Sequence, residues 1–452
     1  MKKTINKFAC VALSTLMLAG CAKDADKAET TTQAPTTAAA VETTAEQTEE
    51  PTEEETTTEP APEEVINYDA GLETISNYVS PEAMAEADKW SFCDDTALAA
   101  VMKKAEAGED ITIAVIGGSI TQGTISSGST DSEVGFKTCY ADLFFKWWTE
   151  MFPDVKVTTI NAGIGATGSY LAVNRVKADV LDYNPDLVLV EFAVNDAGIP
   201  SSRTTYENLL RNIMASDSQP AVLCLFMGQT NGSTDQEKEL IIASNYKLPM
   251  VSYINAITYM MNNNIYTAEQ LSGDTVHPSA MGHAIIGELL YKYLNNAYSN
   301  REIYGEYEGF SLEDSIPVTK DKYSNGAILD SDDITPSDMG TFVEANKFYN
   351  FPNDWTTDSE DADSYIEFKS EFKNLGILFL RTTNGKSGQF EVVIDGEVVS
   401  TLNADFSGGW GNYAEATEVF AGDESAEHTV VIRKADDSTG NLFTVLGLLV
   451  SE

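Results

Sequence analysis

A serine stands where a predicted strand ends and a glycine turn begins. The apolar run Ile111–Ile116 is followed by Gly117, Gly118 and Ser119. Because glycine lets the backbone turn sharply, we expect the hydroxyl of Ser119 at the carboxyl end of the strand, where a ligand can reach it. A serine hydroxyl in that place can act as a nucleophile if a base lies close to it. The alternative is an ordinary loop in which the serine only caps a helix.

The candidate base is His277, which lies three residues after Asp274 and just before a predicted helix, Ser279–Tyr298. A histidine that activates a serine needs an acid to fix its tautomer, and this spacing lets one turn of chain supply both groups. The alternative is that Asp274 or Ser279 only caps the helix, with Pro278 in its first turn. His283 is a rival base, but it falls inside the helical pattern and is expected to be structural.

Two further turns could supply hydrogen-bond donors to an oxyanion. Asn195 directly follows the apolar run Val190–Val194, and its side-chain amide can donate. The glycine-rich segment Asn161–Gly168 follows another predicted strand and offers backbone N–H groups. Each turn has a simpler explanation by itself. Their common position at the carboxyl ends of strands in one sheet favours a serine hydrolase.

Together these segments resemble the ordered sequence blocks of the SGNH (GDSL-like) hydrolase superfamily, over roughly residues 108–298. Two departures from the usual blocks are Gly118, where many members carry Asp, and Ala193, where Gly is usual. The matching segments are Gly117-Gly118-Ser119-Ile120, the turn around Gly165 and Ala166, Ala193-Val194-Asn195-Asp196, and Asp274-Thr275-Val276-His277.

The resemblance implies a role for each matching residue. Ser119 would be the nucleophile, His277 the general base and then acid, and Asp274 the partner that orients the histidine. The implied oxyanion hole consists of the backbone N–H of Ser119, a backbone N–H of Gly165 or Ala166, and the side chain of Asn195. The choice between Gly165 and Ala166 stays open, because it depends on a one-residue shift of the alignment. No metal and no organic cofactor is expected.

Short and nearly continuous apolar runs alternate with helical segments between about residues 90 and 300. Strands without polar alternation, separated by helices, are typical of a parallel sheet that is covered on both faces. We therefore expect a three-layer α/β/α domain with a five-stranded parallel sheet, and the resemblance described above implies that this domain has the flavodoxin-like SGNH fold. The predicted strands are Ile111–Ile116, Val155–Ile160, Leu187–Val194, Ala221–Met227 and Met250–Tyr253, and the predicted helices include Tyr140–Met151, Tyr170–Leu181, Tyr206–Met214 and Gln236–Asn245.

Glu191 is an acidic residue within one of these apolar strands. Arg175, in the preceding predicted helix, is its expected partner in a structural ion pair, because buried carboxylates need compensation.

The pattern changes after residue 305. Residues 306–339 are rich in Pro, Asp and Ser and are predicted to connect two domains. Residues 340–452 contain short β-type runs and turn signals, which predict a C-terminal antiparallel β-sandwich. Asp395-Gly396 lies between two such runs and predicts a hairpin turn. The clearest predicted strands are Tyr365–Phe368, Gly376–Arg381, Phe390–Ile394, His428–Arg433 and Phe443–Val450.

The N-terminus predicts export and anchoring. Residues 1–20 combine lysines with a short apolar stretch, as a signal peptide does, and Leu18-Ala19-Gly20-Cys21 resembles a lipobox. Cys21 would then carry lipid, and the alternative is a secretory signal with a chance cysteine. Residues 21–64 are predicted to be a disordered acidic tether rich in Thr, Glu and Pro. The hydrolase domain is predicted over residues 65–305, and the protein is predicted to be extracytoplasmic and lipid-anchored to the bacterial membrane surface.

The charge excludes several partners. The 452 residues contain 28 Lys and Arg against 71 Asp and Glu, a net charge of −43. Residues 301–452 alone carry 10 basic and 30 acidic side chains, so the acidity is not confined to the tether. Such a surface repels nucleic acids and anionic lipid headgroups, which leaves the lipid anchor as the only expected contact with a membrane. Neutral polysaccharide esters remain compatible with it.

A tethered SGNH-like domain with an attached β-sandwich resembles carbohydrate esterases, and this resemblance implies a surface-anchored serine esterase that removes acetyl groups from polysaccharides through an acyl-serine intermediate. Its expected partner is an acylated polysaccharide or another small acyl ester. The alternatives are a lipase or general acyl-ester hydrolase, and a non-catalytic lipoprotein that binds glycan.

Overall fold

The computed structural model describes residues 78–90, 92–126, 139–408 and 411–452. The predicted signal peptide, the lipidation site Cys21 and the acidic tether lie outside the described residues and remain predictions. Within the described residues, every helix is too short or too polar to cross a bilayer.

A five-stranded parallel sheet forms the centre of the first half of the described chain. Its strand order is β2-β1-β3-β4-β5. The four strands other than the edge strand β2 are buried nearly throughout, as their apolar sequences require. The strands are β1 Ile111–Gly117, β2 Val157–Gly163, β3 Leu187–Glu191, β4 Ala221–Phe226 and β5 Met250–Ser252.

Helices cover both faces of this sheet and enclose two separate apolar cores. The predicted three-layer α/β/α fold is therefore confirmed. The helices are α1 Pro81–Ala87, α2 Thr96–Glu106, α3 Ser119–Gln122, α4 Tyr140–Met151, α5 Ser169–Asp179, α6 Ser202–Met214, α7 Gln236–Asn245, α8 Tyr253–Asn262, α9 Ala268–Leu271 and α10 Ala280–Asn300, with 3₁₀ turns at Leu181–Tyr183 and Arg301–Ile303.

The second half forms one antiparallel sheet of eight strands, called the accessory sheet below. Its order is β11-β10-β12-β9-β13-β8-β7, with β6 paired to β13. The antiparallel β-sandwich predicted for the C-terminal part is confirmed as an antiparallel β-domain, and its eight strands are hydrogen-bonded into one sheet around an apolar core. The strands are β6 Ala327–Leu329, β7 Val343–Ala345, β8 Asp354–Thr357, β9 Tyr365–Arg381, β10 Gln389–Ile394, β11 Glu397–Asn403, β12 Tyr413–Lys434 and β13 Phe443–Ser451.

Two features of the accessory sheet show how local sequence determines its shape. The hairpin predicted at Asp395-Gly396 is present, and both residues have positive φ angles of 52° and 89°, as a type I′ turn requires. The two strands predicted at Tyr365–Phe368 and Gly376–Arg381 are one strand, β9. The intervening residues continue the alternation of buried and exposed side chains, with Lys369 and Glu371 facing outward, so the charges do not end the strand.

The accessory sheet packs directly on helix α5. Leu378 and Leu380 of β9 lie in one apolar cluster with Leu171 of α5, and Tyr170 packs against the same cluster. The side-chain amide of Asn374 also donates to the carbonyl of Lys322 over 2.7 Å. The apolar packing holds the sheet against the helix, and the hydrogen bond ties β9 to the segment that connects the two halves of the chain.

Candidate active site

Ser119 lies at the carboxyl end of β1, as its sequence predicts. It is the first residue of the one-turn helix α3, and Gly118 is the N-cap. A side chain at Gly117 would collide with Thr121, and one at Gly118 would collide with the side chain of Asn195. The two glycines therefore let the turn of Ser119 lie close to the segment that follows β3.

The structure brings Ser119, His277 and Asp274 into one chain of hydrogen bonds. Ser119 Oγ lies 2.9 Å from His277 Nε2, and His277 Nδ1 lies 2.7 Å from Asp274 Oδ2. An ionised Asp274 accepts the Nδ1–H, which leaves Nε2 as the acceptor for the serine hydroxyl. The three side chains thus have the order and tautomer needed to deprotonate the serine.

Asp274 is held in place by its own turn. Its Oδ1 atom accepts the backbone N–H groups of Val276 and His277 over 2.9 and 2.7 Å. Thr275 has a φ of 73°, an unusual value for a β-branched residue, which tightens this turn. Partial burial favours a higher pKa for Asp274, but the hydrogen bonds from the side chain and backbone of His277 outweigh it, and the pKa of this carboxyl is lowered.

His283 is fully buried and is bonded to backbone groups at both ring nitrogens. Its Nδ1 accepts the N–H of Tyr140 over 3.2 Å, and its Nε2–H donates to the carbonyl of Thr124 over 3.1 Å. Burial lowers the pKa of His283 to about 4, so the ring is neutral near pH 7. It ties α10 to α4 and to the loop that follows Ser119, which is the structural arrangement expected from its position in the helix pattern.

The glycine-rich turn after β2 lies beside Ser119. We call residues 164–168 the oxyanion loop. A Cβ atom added to Gly165 would lie 3.6 Å from Cβ of Ser119, which shows how closely the two segments approach. Ala166 has a φ of 62°, in the left-handed region where glycine is the usual residue.

The candidate oxyanion donors differ in what they already bind. The N–H of Gly165 donates to Oε1 of Gln122 over 2.8 Å. Within the described residues, the N–H groups of Ser119 and Ala166 make no hydrogen bond. The side-chain amide N–H groups of Asn195 likewise make no hydrogen bond within the described residues, and its acceptor atom Oδ1 is buried without a partner. The arrangement therefore leaves backbone and amide donors unused around the serine hydroxyl.

The predicted ion pair between Arg175 and Glu191 is wrong. Arg175 instead pairs with Asp179 one turn along α5, at 2.7 Å between Nη1 and Oδ2, and its Nη2 donates to the carbonyl of Gly117 over 3.3 Å. Because Asp179 is an i,i+4 neighbour on the same helix, it reaches the guanidinium without crossing the sheet.

Glu191 contacts the turn of the nucleophile instead. Its Oε2 accepts the hydroxyl of Thr121 over 2.8 Å, and that hydroxyl lies 2.6 Å from the hydroxyl of Tyr140. Burial raises the pKa of Glu191 to about 7, although hydrogen bonds from Thr121 and from the backbone of Gly118 oppose the shift. Through Thr121, Glu191 thus holds helix α3 in place.

Two contacts near the site were not predicted. Gln122, three residues after Ser119, binds both the oxyanion loop and Tyr349, which lies in the turn between strands β7 and β8 of the accessory sheet. Asp196 accepts the backbone N–H of Ser169 over 2.9 Å and so holds the first residue of α5. The sequence shows Asp196 directly after Asn195. Its contact with the start of α5 depends on how the loop after β3 packs against the oxyanion loop, which the sequence does not show. Within the described residues, no cluster of three or more potential metal ligands occurs.

The chain is similar to known proteins in both sequence and structure. Residues 115–285, which include Ser119, Asn195, Asp274 and His277, match the model of the GDSL-like Lipase/Acylhydrolase family. The chain is similar in structure to a two-domain esterase (CEX) active on acetylated mannans, with 28% sequence identity, a TM-score of 0.71, and coverage of 80% of this chain and 96% of that chain.

The same esterase co-crystallised with mannopentaose is similar to the chain with a TM-score of 0.69, at 28% identity, and coverage of 80% of this chain and 95% of that chain. No curated protein sequence matches the chain. The similarity at 80% coverage extends over both the α/β domain and the accessory sheet.

Proposed function

We propose that this chain, whose residues 115–285 match the GDSL-like lipase/acylhydrolase family, is a serine esterase that removes acetyl groups from a polysaccharide. The observation that carries the proposal is the chain of short hydrogen bonds from Ser119 through His277 to Asp274. It lies at the carboxyl edge of the parallel sheet, where ligands of such folds bind.

The first half of the proposed reaction acylates the serine. Nε2 of His277 takes the hydroxyl proton of Ser119 as Oγ attacks the carbonyl carbon of the acetyl ester. The tetrahedral intermediate then collapses, the bond to the sugar oxygen breaks, and that oxygen takes the proton from His277. The sugar leaves with a free hydroxyl, and an acetyl group remains on Ser119.

The second half reverses these roles with water. His277 takes a proton from a water molecule, whose oxygen attacks the acetyl carbonyl carbon, and Ser119 Oγ leaves and regains its proton. Acetate is the second product. Asp274 holds His277 in the reactive tautomer and stabilises its positive charge in both halves.

The negatively charged oxygen of each tetrahedral intermediate must be stabilised by hydrogen-bond donors. We assign these to the backbone N–H of Ser119, the backbone N–H of Ala166 and the side-chain amide of Asn195. The assignment of Ala166 rather than Gly165 is supported by the hydrogen bond that already engages the Gly165 N–H with Gln122. Donors that are held in place before the reaction stabilise the developing charge most effectively.

The proposed substrate class is supported by the similar esterase of known structure and by the net charge of this chain. The similar two-domain esterase is active on acetylated mannans. A net charge of −43 is compatible with a neutral polysaccharide and disfavours polyanionic substrates. We therefore expect an acetylated neutral glycan, with acetylated mannan first.

A substrate panel tests this proposal. Acetate release from acetylated mannan and acetylated xylan would be measured beside hydrolysis of octanoyl and palmitoyl esters. We expect kcat/KM for an acetylated glycan to exceed that for the longer-chain esters by at least about ten-fold, because each extra methylene must fit a site built for acetyl. Faster cleavage of the longer chains would favour a lipase. Glycan binding without any acetate release would favour a binding protein.

We also propose that the mature chain begins at a lipid-modified Cys21. Cys21→Ser is expected to move the protein from the membrane fraction to the soluble fraction of a bacterial host, because the thiol that receives the acyl chains is lost. Metabolic labelling with an alkyne fatty acid, followed by fractionation, measures this.

Cys10→Ser is the matched control for the lipid anchor, because Cys10 lies within the predicted signal peptide and is absent from the mature chain. A Cys21→Ser protein that is still labelled and still found in the membrane fraction would contradict the anchor.

A further inference from the structure

The side chain of Gln122 joins the accessory sheet to the oxyanion loop. Its Oε1 accepts the N–H of Gly165 over 2.8 Å, and its Nε2 donates to the hydroxyl of Tyr349 over 3.0 Å. Gln122 is the last residue of α3, the helical turn that begins with Ser119. A single side chain on the nucleophile's own helix therefore contacts both the neighbouring loop and the accessory domain.

Tyr349 is well placed to hold this amide. It lies between β7 and β8, and the residue is 72% exposed. The flanking Phe348 and Phe351 pack on the apolar cluster between the accessory sheet and α5, and the N–H of Phe351 donates to the carbonyl of Phe348 over 3.0 Å. The backbone that carries Tyr349 is thus anchored on both sides.

The other end of the oxyanion loop meets the same sheet. Helix α5 begins at Ser169, directly after the loop, and its residues Tyr170 and Leu171 pack on the accessory sheet. The loop is therefore held by the accessory sheet at two points, through Gln122 at Gly165 and through the first turn of α5.

The loop needs such support because of its backbone conformation. The left-handed conformation of Ala166 is strained for a residue with a Cβ atom and persists only where the surroundings impose it. The contact between Gln122 and Gly165 acts on the residue directly before Ala166. Loss of that contact would let the peptide group between Gly165 and Ala166 rotate, and the Ala166 N–H would then point away from the reacting carbonyl.

We propose that Gln122 and Tyr349 are positioning residues for the oxyanion hole, through which the accessory sheet holds the Ala166 N–H toward the reacting carbonyl. This inference rests on the proposed esterase function and assigns the accessory sheet a part in the chemical step. Neither residue contacts the reacting atoms. Their effect passes through Gly165.

Hydrolysis of 4-nitrophenyl acetate tests the inference, because this small ester has no sugar to contact Tyr349. Tyr349→Phe keeps the ring and removes the hydroxyl, and Gln122→Met keeps the length of the side chain and removes both hydrogen bonds. We expect each variant to lower kcat by about five-fold with KM unchanged, the effect of one hydrogen bond on a transition-state interaction. The double variant should lose no more than Gln122→Met alone, because both changes break one chain.

Tyr183→Phe is the matched control, since Tyr183 is also an exposed tyrosine, at 57%, on the 3₁₀ turn after α5. Hydrogen–deuterium exchange of the peptide that contains Gly165 and Ala166 gives a second readout that does not require activity. We expect faster exchange in Tyr349→Phe and in Gln122→Met and no change in Tyr183→Phe.

The outcomes separate the two proposals. Unchanged kcat and unchanged exchange in both variants would overturn the positioning role, as would a Tyr349→Phe effect confined to KM for polysaccharide, or additive losses in the double variant. A wild-type protein that is inactive and is not labelled at Ser119 by a fluorophosphonate would overturn the esterase function. Faster exchange in the variants would even then support the positioning of the loop.

Discussion

Ser119→Ala is expected to lower kcat/KM for acetyl esters by about 10⁵-fold or more. The hydroxyl of Ser119 is the atom that bonds to the acetyl carbon in the proposed reaction, and its removal leaves His277 without a nucleophile to activate. The residual rate would come from water and from the remaining oxyanion donors. Release of 4-nitrophenol from 4-nitrophenyl acetate, with active-site titration of the wild type, measures the loss.

Ser299→Ala is a suitable control for this experiment, because Ser299 lies on the exposed side of α10 and its hydroxyl donates only to the carbonyl of Asn295. It should retain full activity. Fluorophosphonate labelling followed by mass spectrometry should find the adduct on Ser119 in the wild type and in Ser299→Ala. An alanine variant at 119 that keeps a tenth of the wild-type rate would show that another group is the nucleophile.

Asp274→Asn is expected to lower kcat by roughly 10³- to 10⁴-fold. The two backbone N–H groups that bind Oδ1 require an acceptor there, so the new amide nitrogen must take the place of Oδ2 and face Nδ1 of His277. An N–H donor in that place favours the tautomer with its proton on Nε2, and such a histidine cannot accept the proton of Ser119. Steady-state kinetics with 4-nitrophenyl acetate would show the loss in kcat.

The accessory sheet contains a chemically matched control for this variant. Asp395 binds Nδ1 of His428 over 2.7 Å and also accepts the backbone N–H of Thr429, which reproduces the contacts of Asp274 away from the serine. Asp395→Asn should leave kcat unchanged. If both Asn variants lose activity equally, the loss is a general effect of destabilisation.

Asp274→Asn is also expected to lower the free energy of unfolding, by an amount that depends on pH. The pKa of Asp274 is lower in the folded protein than its ordinary value, so the ionised carboxyl stabilises the fold above that ordinary value, and this contribution is lost as the pH falls through the folded pKa. The variant should therefore be less stable than the wild type in urea at pH 7, and the difference should shrink toward pH 3.

The parts of the site that could be predicted are those that depend on neighbours in the sequence. The turn of Ser119 follows one strand and its glycines, and the spacing from Asp274 to His277 brings their side chains together within a single turn. The common edge of the sheet then follows from the parallel strands, because their carboxyl ends coincide.

The remaining contacts depend on packing between distant segments. Gln122 and Tyr349 are 227 residues apart, and their contact exists only because the accessory sheet packs on α5. For a related reason, the sequence predicts Glu191 as the partner of Arg175, which is wrong. The sequence indicates that Arg175 needs a carboxylate, but the orientation of α5 selects Asp179.

The choice between Gly165 and Ala166 is a similar case. Both residues offer a backbone N–H, and a one-residue shift of the alignment exchanges them. The side chain of Gln122 distinguishes them by occupying one N–H group, and the sequence contains no signal for that contact.

Helix α5 is buried on most of its circumference, with seven of its residues inaccessible to solvent, because the parallel sheet covers one side and the accessory sheet covers another. For protein engineering, this means that the C-terminal sheet is not an interchangeable module. A graft of the α/β half onto an unrelated β-domain would leave Leu171 and Tyr170 without their partners and would expose an apolar surface. A substitution on the face of this helix that packs on strand β9 should therefore need a compensating substitution on the strand, and the reverse.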